Sequence, residues 1–348
     1  MAHPVNDGTP SEPLPLSRGE RAPYSRAGVK PDSSLKRILR ALGIVIGLLG
    51  VVFVSRELIR NWGEVSRAVR GADPLLLLAA VLVAMVSMGS IGLGWRRCLA
   101  VLGVRRPLLD VLRSYFVGQL GKYIPGGIWP VVGRAEMARR DGVGGAAAYG
   151  STVLSMGVTY LAAALVALSA LLMGAGDLGG LSWWPALGLL VAGLIALHPT
   201  VAQSVLRIVR RLSGRELDLV VPSWRTSVLL LFIHIPAWLG IGWSTWLVAA
   251  AVDPGAPDFR NLVYATSLAW LIGFIAVGVP GGIGVREAVF LAAATSLSSP
   301  GIAAAVTVVA RVLFIVVDLA GAGLTTLALG LRQRDRDLEA GGSALSED

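Results

Sequence analysis

The stretch LVYATSLAWLIGFIAVGVPGGIGVREA, residues 262–288, decides the class of fold. It starts with an uncharged apolar run, breaks at Pro280-Gly281-Gly282, and carries its first charges at Arg286 and Glu287. From residue 262 to residue 279 the run has 18 residues, which is about 27 Å of helix. This length is close to the ~30 Å hydrocarbon core of a bilayer. The segment is therefore long enough to cross a membrane before the proline, and equally suited to enter it and turn back.

The rest of the chain has the same character. It has 348 residues, of which 54% are hydrophobic and only 15% are charged, with a mean hydropathy of +0.68. Soluble domains carry about a quarter charged residues. Further apolar runs lie at 41–54, 74–95, 143–176, 181–201, 226–252 and 288–331, the last divided at 296–301. We predict an all-α polytopic membrane protein with about eight transmembrane helices.

The polar parts of the chain define its organisation. Residues 1–35 are rich in Pro, Ser, Gly and charge and predict a disordered cytoplasmic tail. Because no cleavable signal pattern is present, we expect the first apolar run to remain as an anchor. The transmembrane domain is expected at 36–331 and a polar cytoplasmic tail at 332–348. Within the domain, the segment 107–130 is interrupted by charges and by a Pro-Gly-Gly, which predicts a re-entrant or interfacial piece.

The cations favour one side of the membrane. The formal net charge is +9, from 31 Lys and Arg against 22 Asp and Glu. With the N-terminus inside, the predicted inner segments carry 25 of these cations and the outer loops carry 5. The positive-inside rule then predicts a multi-pass membrane protein with both termini in the cytoplasm. We expect the membrane to be the bacterial cell (inner or plasma) membrane. The excess charge is expected to face anionic lipid headgroups and not nucleic acid.

Residues that hold metals or form disulfides are scarce. Cys98 is the only cysteine, and His3, His198 and His234 lie far apart in the sequence. This excludes an intrachain disulfide, and we expect no metal and no cofactor. The sequence also has no Walker-type phosphate-binding motif, so we do not expect this chain to drive a pump with ATP.

A short motif occurs twice. Pro125-Gly126-Gly127 is followed by Gly133-Arg134-Ala135-Glu136, and Pro280-Gly281-Gly282 is followed by Gly284-Val285-Arg286-Glu287, so the first copy has three extra residues before its arginine. Proline and glycine interrupt helices, and unwound backbone persists at membrane depth only inside protein or beside a watery cavity. Matching interruptions in two halves indicate a transporter binding site. We therefore predict two repeated halves with Pro-Gly-Gly-broken or re-entrant segments. The alternative is a pair of interfacial turns whose charges are solvated.

The charged residues beside these motifs are the candidate site. Arg286 offers bidentate donors to a phosphate oxygen, and Glu287 complements the positive end of a helix that starts there. Their alternative role is a mutual ion pair that closes helix ends. Arg311 and Asp318 are about 10 Å apart along one helix face, so each is expected to pair with another helix or a ligand, with snorkelling as the alternative for Arg311. We predict no catalytic residue, and we predict that substrate is bound by Lys122, Pro125, Gly126, Gly127, Arg134, Glu136, Pro280, Gly281, Gly282, Arg286, Glu287, Arg311 and Asp318.

These motifs resemble the signatures of the lysylphosphatidylglycerol synthase transmembrane-region family. The first signature corresponds to 122–127 with 133–140, the second to 280–288, and Arg311 stands where the family usually has an arginine. The resemblance covers about 36–331 and implies flippase-like lipid handling, as in the membrane half of the multiple peptide resistance factor. One departure argues against a lysyl-lipid substrate: where the family often has a Glu-Arg…Asp cluster, this chain has Ser155-Met156-Gly157-Val158-Thr159. We expect no aminoacyl transfer by this chain, because only 17 residues follow Leu331.

Three functions are compatible with the sequence. The first is a translocator of a phospholipid or of a lipid-linked headgroup such as a polyprenyl-phosphate lipid. The second is a non-catalytic membrane partner of a separate lipid-modifying transferase. The third is an intramembrane transferase with a lipid-phosphate donor, for which the candidate motif is Asp335-Arg336-Asp337. We expect membrane lipids as partners in each case and favour a non-enzymatic translocator.

Overall fold

The described part of the protein is helical throughout. A computed structural model describes residues 52, 55–56, 59–124, 129–175, 184–213, 220–253, 258–276, 282–294 and 299–344. A short 3₁₀ helix, Leu120–Tyr123, follows the helix Leu108–Gln119. The α-helices are α1 (Trp62–Arg70), α2 (Pro74–Val101), α3 (Leu108–Gln119), α4 (Trp129–Arg140), α5 (Gly145–Leu172), α6 (Trp184–Ala196), α7 (Pro199–Ser213), α8 (Trp224–Val252), α9 (Phe259–Ile275), α10 (Val285–Ala294) and α11 (Pro300–Ala344).

Four helices in this part of the chain are long and apolar enough to cross a membrane: α2, α5, α8 and the first 35 residues of α11. A fifth crossing results if α6 and α7, which are bent by 64°, form one span. The expected number of about eight is therefore not confirmed. The predicted run at 41–54 lies almost entirely outside the described residues, as does the predicted disordered tail at 1–35.

Two long helices begin at side-chain caps. Asp73 accepts hydrogen bonds from the backbone N–H groups of Leu75 and Leu76 at 2.8 and 3.3 Å, and Pro74 occupies the first position of α2. Ser223 caps α8 through the N–H of Thr226 at 3.3 Å. These caps satisfy donors that have no partner within the helix. The start of each helix is therefore encoded locally.

The centre of the bundle is the antiparallel pair α2 and α8. Ser244 donates a hydrogen bond to the carbonyl of Ala80 at 2.9 Å, and the N–H of Asp73 donates to the carbonyl of Ala251 at 3.0 Å. Small residues allow this close approach, as in many helix pairs within membranes. Helix α5 joins the pair through the Trp95 indole, which donates to Ser151 at 3.1 Å. We call the end with Val101, Gly145 and Trp224 the basic end.

The first Pro-Gly-Gly segment connects two short helices that fold back on each other. Hairpin 1 consists of α3, the 3₁₀ helix and α4. A Cβ atom added to Gly118 would lie 3.0 Å from the Cα of Arg134, so the two helices touch there. Arg113 pairs with Asp141 at 3.0 Å near the open end of the hairpin. Hairpin 1 opens at the basic end, because Arg96 of α2 donates to the carbonyl of Arg106 at 3.0 Å.

The second segment makes a similar arrangement from the other end of the bundle. Hairpin 2 consists of α9 and α10. A Cβ atom added to Gly273 would lie 3.1 Å from the Cβ of Arg286. Gly282 has φ +68°, a backbone angle that favours glycine. A Cβ atom added to Gly282 would also lie 3.1 Å from the Cα of Gly273, so the close contact requires glycine as well. Arg260, near the start of α9, donates to the carbonyl of Met173 after α5 at 2.8 Å, which places the open end of hairpin 2 opposite the basic end.

Helix α11 contacts both hairpins. It begins beside α1, where Ser299 donates to Glu64, and it runs to Ala344. Residues 332–344, predicted as a polar tail, are therefore a helical extension of α11, and Asp335-Arg336-Asp337 lies on it. The middle of α11 passes the turns of both hairpins, and this is where the candidate site lies.

Candidate binding site

The tip of hairpin 1 is anchored to α11 by a buried charge. The Nζ of Lys122 lies 2.5 Å from Oδ2 of Asp318, and the Tyr123 hydroxyl donates to the same oxygen at 2.6 Å. The Asp318 side chain is fully buried, and its Oδ1 has no hydrogen-bond partner within the described residues. Asp318 thus pairs with another element, as its position on the last helix predicts.

The tip of hairpin 2 carries a cation against an aromatic ring. The guanidinium carbon of Arg286 lies 3.4 Å from the centre of the Trp270 ring and 5.5 Å from that of Phe314. Within the part of the chain that is described, Arg286 forms no ion pair. Lys122 Nζ lies 5.5 Å from the Trp270 ring. Trp270 therefore contacts cations from both hairpin tips, and cation–π attraction accounts for this arrangement.

Glu287 connects hairpin 2 to α11. One oxygen accepts the backbone N–H of Gly284 at 2.7 Å, and the other lies 3.1 Å from Nη1 of Arg311. The first contact satisfies a donor at the start of α10, where a carboxylate also complements the helix dipole. The second shows that Arg311 pairs with a neighbouring helix, as its spacing from Asp318 predicts.

Arg134 lies in a separate aromatic environment. It is only 3% exposed, donates to Oε1 of Gln119 at 3.2 Å, and lies 4.7 Å from the ring centre of Tyr115 and 5.4 Å from that of Trp95. Within the described residues it has no carboxylate partner. Glu136 does not share this environment.

The glutamates of the two motifs do not pair with the arginines of the same motifs. Glu136 pairs with Arg139 at 3.2 Å on an exposed face, and Glu287 pairs with Arg311. The alternative of a mutual Arg–Glu pair that closes helix ends therefore does not describe either motif. The predicted role of Glu136 in substrate binding gains no support from its position on this exposed face.

The two hairpins share one packing detail. Gly118 contacts Arg134, 16 positions later, and Gly273 contacts Arg286, 13 positions later. The difference equals the three extra residues of the first motif. Each arginine also lies over aromatic rings. The stacked arginines thus hold similar places in hairpins that open at opposite ends of the bundle.

A narrow pocket starts at the hairpin 2 tip. It lies between α8, α9, α10 and α11, and its lining includes Thr266, Trp270, Arg286, Glu287 and Arg311. The Oγ1 of Thr266 and the Nε1 of Trp270 are buried without a hydrogen-bond partner among the described residues. With Arg286 they form a set of donors, which suits a ligand rich in acceptor atoms.

The structure brings together part of the predicted set. Lys122, Gly282, Arg286, Glu287, Arg311 and Asp318 lie on the two hairpin tips or on the adjoining part of α11. Pro125, Gly126, Gly127, Pro280 and Gly281 lie outside the described residues. Sequence reasoning missed Tyr123, Thr266 and Trp270. Thr266 and Trp270 could not be selected from the sequence, because an uncharged residue in an apolar run has no local feature that indicates a site. Tyr123 could have been selected, because it directly follows Lys122 in the first motif.

The site has no sign of a metal centre. In the described ranges, no group of three or more His, Cys, Asp or Glu side chains lies close enough together to hold a metal ion. The pocket instead offers the hydrogen-bond donors of Thr266, Trp270 and Arg286. Such donors bind anions and neutral hydrogen-bond acceptors.

Fold and site together define a multi-pass helical membrane protein with charged side chains buried where two helical hairpins meet. The sequence model of the Lysylphosphatidylglycerol synthase TM region matches residues 40–321, and the chain belongs to this family. The resemblance carried by the two Pro-Gly-Gly signatures is thereby confirmed. A comparison with curated proteins finds no match. Membership relates this membrane protein to lipid modification.

Proposed function

We propose that this protein is a flippase-like translocator of a phospholipid or of a lipid-linked headgroup. The observation that carries the proposal is the buried charge cluster where the two hairpin tips meet: Lys122, Arg286, Arg311, Glu287 and Asp318. Ionisable groups within a membrane are costly, and they mark pathways for polar cargo. A lipid translocator must shield a polar headgroup at this depth.

The proposal includes a topology. Hairpin 1 enters from the cytoplasmic side and hairpin 2 from the outside, so that the two halves are inverted repeats. Support comes from the length of α10, whose 10 residues extend only about 15 Å and cannot cross a bilayer. The Lys and Arg excess favours a cytoplasmic location for the basic end. Interrupted helices that meet at the bilayer midplane are the usual binding sites of transporters built from inverted repeats.

In this arrangement six segments cross the membrane. They are the apolar run at 41–54, α2, α5, the α6–α7 pair, α8 and α11. An even number keeps both termini in the cytoplasm. The proposal therefore retains the orientation predicted from charge, and hairpin 2 alone replaces two of the eight expected crossings, because 107–130 is already predicted to be re-entrant or interfacial.

A reconstitution experiment tests the function. The purified protein is placed in liposomes that contain a trace of phosphatidylglycerol with a fluorescent headgroup label, and dithionite quenches the outer leaflet. We expect wild-type protein to expose inner-leaflet lipid faster than empty liposomes do, and Arg286→Ala to lose most of this rate. Arg139→Ala, which removes only an exposed ion pair, is the matched control and should behave as wild type.

The result also separates the other candidate functions. A wild-type rate equal to that of empty liposomes overturns translocation by this chain alone. If a separately added lipid-modifying transferase then becomes active only with this protein present, the role is that of a non-catalytic partner. Product formation from a lipid-phosphate donor by the purified chain would indicate an intramembrane transferase.

A further inference from the structure

We infer that the pocket at the hairpin 2 tip binds the phosphate of a lipid whose headgroup carries no ammonium group, with Thr266 and Trp270 as donors beside Arg286. The inference deepens the proposed function, because it names the class of lipid and two residues of the same site. Inorganic phosphate shares this chemistry, and a competition experiment distinguishes it from a lipid headgroup.

Two buried donors in the pocket have no hydrogen-bond partner among the described residues. Thr266 is 3% exposed and Trp270 is 9% exposed, and the polar atom of each side chain lacks a partner in the described part of the protein. Buried polar groups in native proteins almost always have a hydrogen-bond partner. Both side chains line the pocket that Arg286 also lines. An acceptor-rich ligand in the pocket satisfies all three groups.

The charges at the hairpin tips do not balance. At the tips and the adjoining part of α11, the buried or partly buried cations are Lys122, Arg286 and Arg311, against the two carboxylates of Glu287 and Asp318. Each carboxylate already pairs with a cation: Glu287 with Arg311, and Asp318 with Lys122. Among the described residues, each carboxylate at the tips is thus already neutralised by a cation, although Oδ1 of the fully buried Asp318 has no hydrogen-bond partner. A cationic headgroup would add to an excess of positive charge, whereas a phosphate offsets it.

The Arg286 guanidinium is held against an aromatic ring. Its carbon lies 3.4 Å from the centre of the Trp270 ring, and the base of the side chain packs on Gly273, where an added Cβ atom would lie 3.1 Å from the Cβ of Arg286. A guanidinium held in this way keeps its planar set of donors available for a bidentate contact with phosphate. Trp270 therefore has two roles, since its ring positions Arg286 and its indole N–H reaches the ligand.

Native mass spectrometry of the purified full chain with defined lipids tests the inference. Phosphatidylglycerol and lysyl-phosphatidylglycerol share a phosphate, but only the second carries ammonium groups. We expect wild-type protein to bind phosphatidylglycerol at least tenfold more tightly. Thr266→Val, which keeps the shape of the side chain, should weaken this binding about three- to tenfold, as for the loss of one hydrogen bond. Trp270→Phe should weaken it at least as much, because it removes the indole N–H and also part of the ring that stacks on Arg286.

A control and a competition complete the test. Trp243 is 49% exposed on α8 and does not line the pocket, so Trp243→Phe should leave lipid binding unchanged. Inorganic phosphate should displace phosphatidylglycerol only at a large molar excess. Displacement at equal concentration would assign the pocket to a free anion. Equal or tighter binding of the lysyl lipid, or unchanged binding in both Thr266→Val and Trp270→Phe, would overturn the inference.

The inference and the proposed function fail separately. If phosphatidylglycerol binds as described but reconstituted protein does not accelerate its movement, translocation is wrong and the binding site stands. If the lipid moves but its lysyl derivative binds equally well, translocation stands and the headgroup class is wrong.

Discussion

Lys122 and Asp318 form a 2.5 Å ion pair that joins the tip of hairpin 1 to the middle of the last helix. Asp318 has no exposed side-chain surface, and Lys122 has 13%. The pair is therefore shielded from water, and the Tyr123 hydroxyl adds a third partner to the same carboxylate oxygen. This contact links the first Pro-Gly-Gly motif to the helix that also carries Arg311, the partner of the second motif.

Removal of one charge from this pair should destabilise the protein. Asp318→Asn leaves the Lys122 ammonium buried without a counter-charge, which costs about 3–5 kcal/mol for buried pairs. The double variant Lys122→Met with Asp318→Leu should recover most of this loss, because no buried charge remains. Thermal unfolding in detergent measures both. Glu136→Gln, which breaks an exposed pair, should change stability by less than about 1 kcal/mol, and a similarly small effect of Asp318→Asn would show that the buried pair is hydrated.

Arg286 should not be replaceable by lysine. The lysine side chain keeps the charge but loses the planar donor set and the stacking on Trp270. We expect Arg286→Lys to retain less lipid on purification and to move lipid more slowly in liposomes than wild type at matched expression, with Arg286→Ala lower still. Should lysine match wild type while alanine alone fails, Arg286 acts only as a charge.

Close helix contact at two glycines should be sensitive to a single methyl group. Gly273→Ala places a Cβ 3.1 Å from the Cβ of Arg286, and Gly118→Ala places one 3.0 Å from the backbone of Arg134. Each should lower stability by about 1–3 kcal/mol, as overpacking does elsewhere, and should reduce lipid binding. Gly89 on α2 has open space around an added Cβ, so Gly89→Ala should be neutral or slightly stabilising. Equal melting temperatures for all three variants would contradict close packing of the hairpins.

The hairpin tips should be reached from opposite sides of the membrane. Ile124 is 50% exposed and Ile283 is 39% exposed, so Ile124→Cys and Ile283→Cys, each in a Cys98→Ala background, suit labelling with a membrane-impermeant thiol reagent. In whole cells we expect Ile283→Cys to react and Ile124→Cys to be protected until the membrane is permeabilised. Reaction of both from the same side would exclude the inverted arrangement, and protection of both in permeabilised cells would indicate buried structural turns.

The candidate site was accessible from the sequence only in part. Charges inside apolar runs are conspicuous, so Lys122, Arg286, Glu287, Arg311 and Asp318 could be selected by residue type and position alone. Their partners could not, since an ion pair between helices depends on how the helices pack and not on the residues near each charge. Glu136 illustrates the limit: its motif is correct, yet its side chain pairs with Arg139 on an exposed face.

The class of protein, the helical fold, the two Pro-Gly-Gly motifs and the family follow from the sequence, because apolar run length, charge distribution and helix interruption are local properties of the chain. The folding of α9 and α10 against each other, and the place of Thr266 and Trp270 in the pocket, became known only from the tertiary structure. The physical reason is that lipid and protein interior are equally apolar. A membrane helix therefore has similar residues on its lipid-facing and buried faces, and the faces that meet are selected by close packing and by the pairing of buried charges.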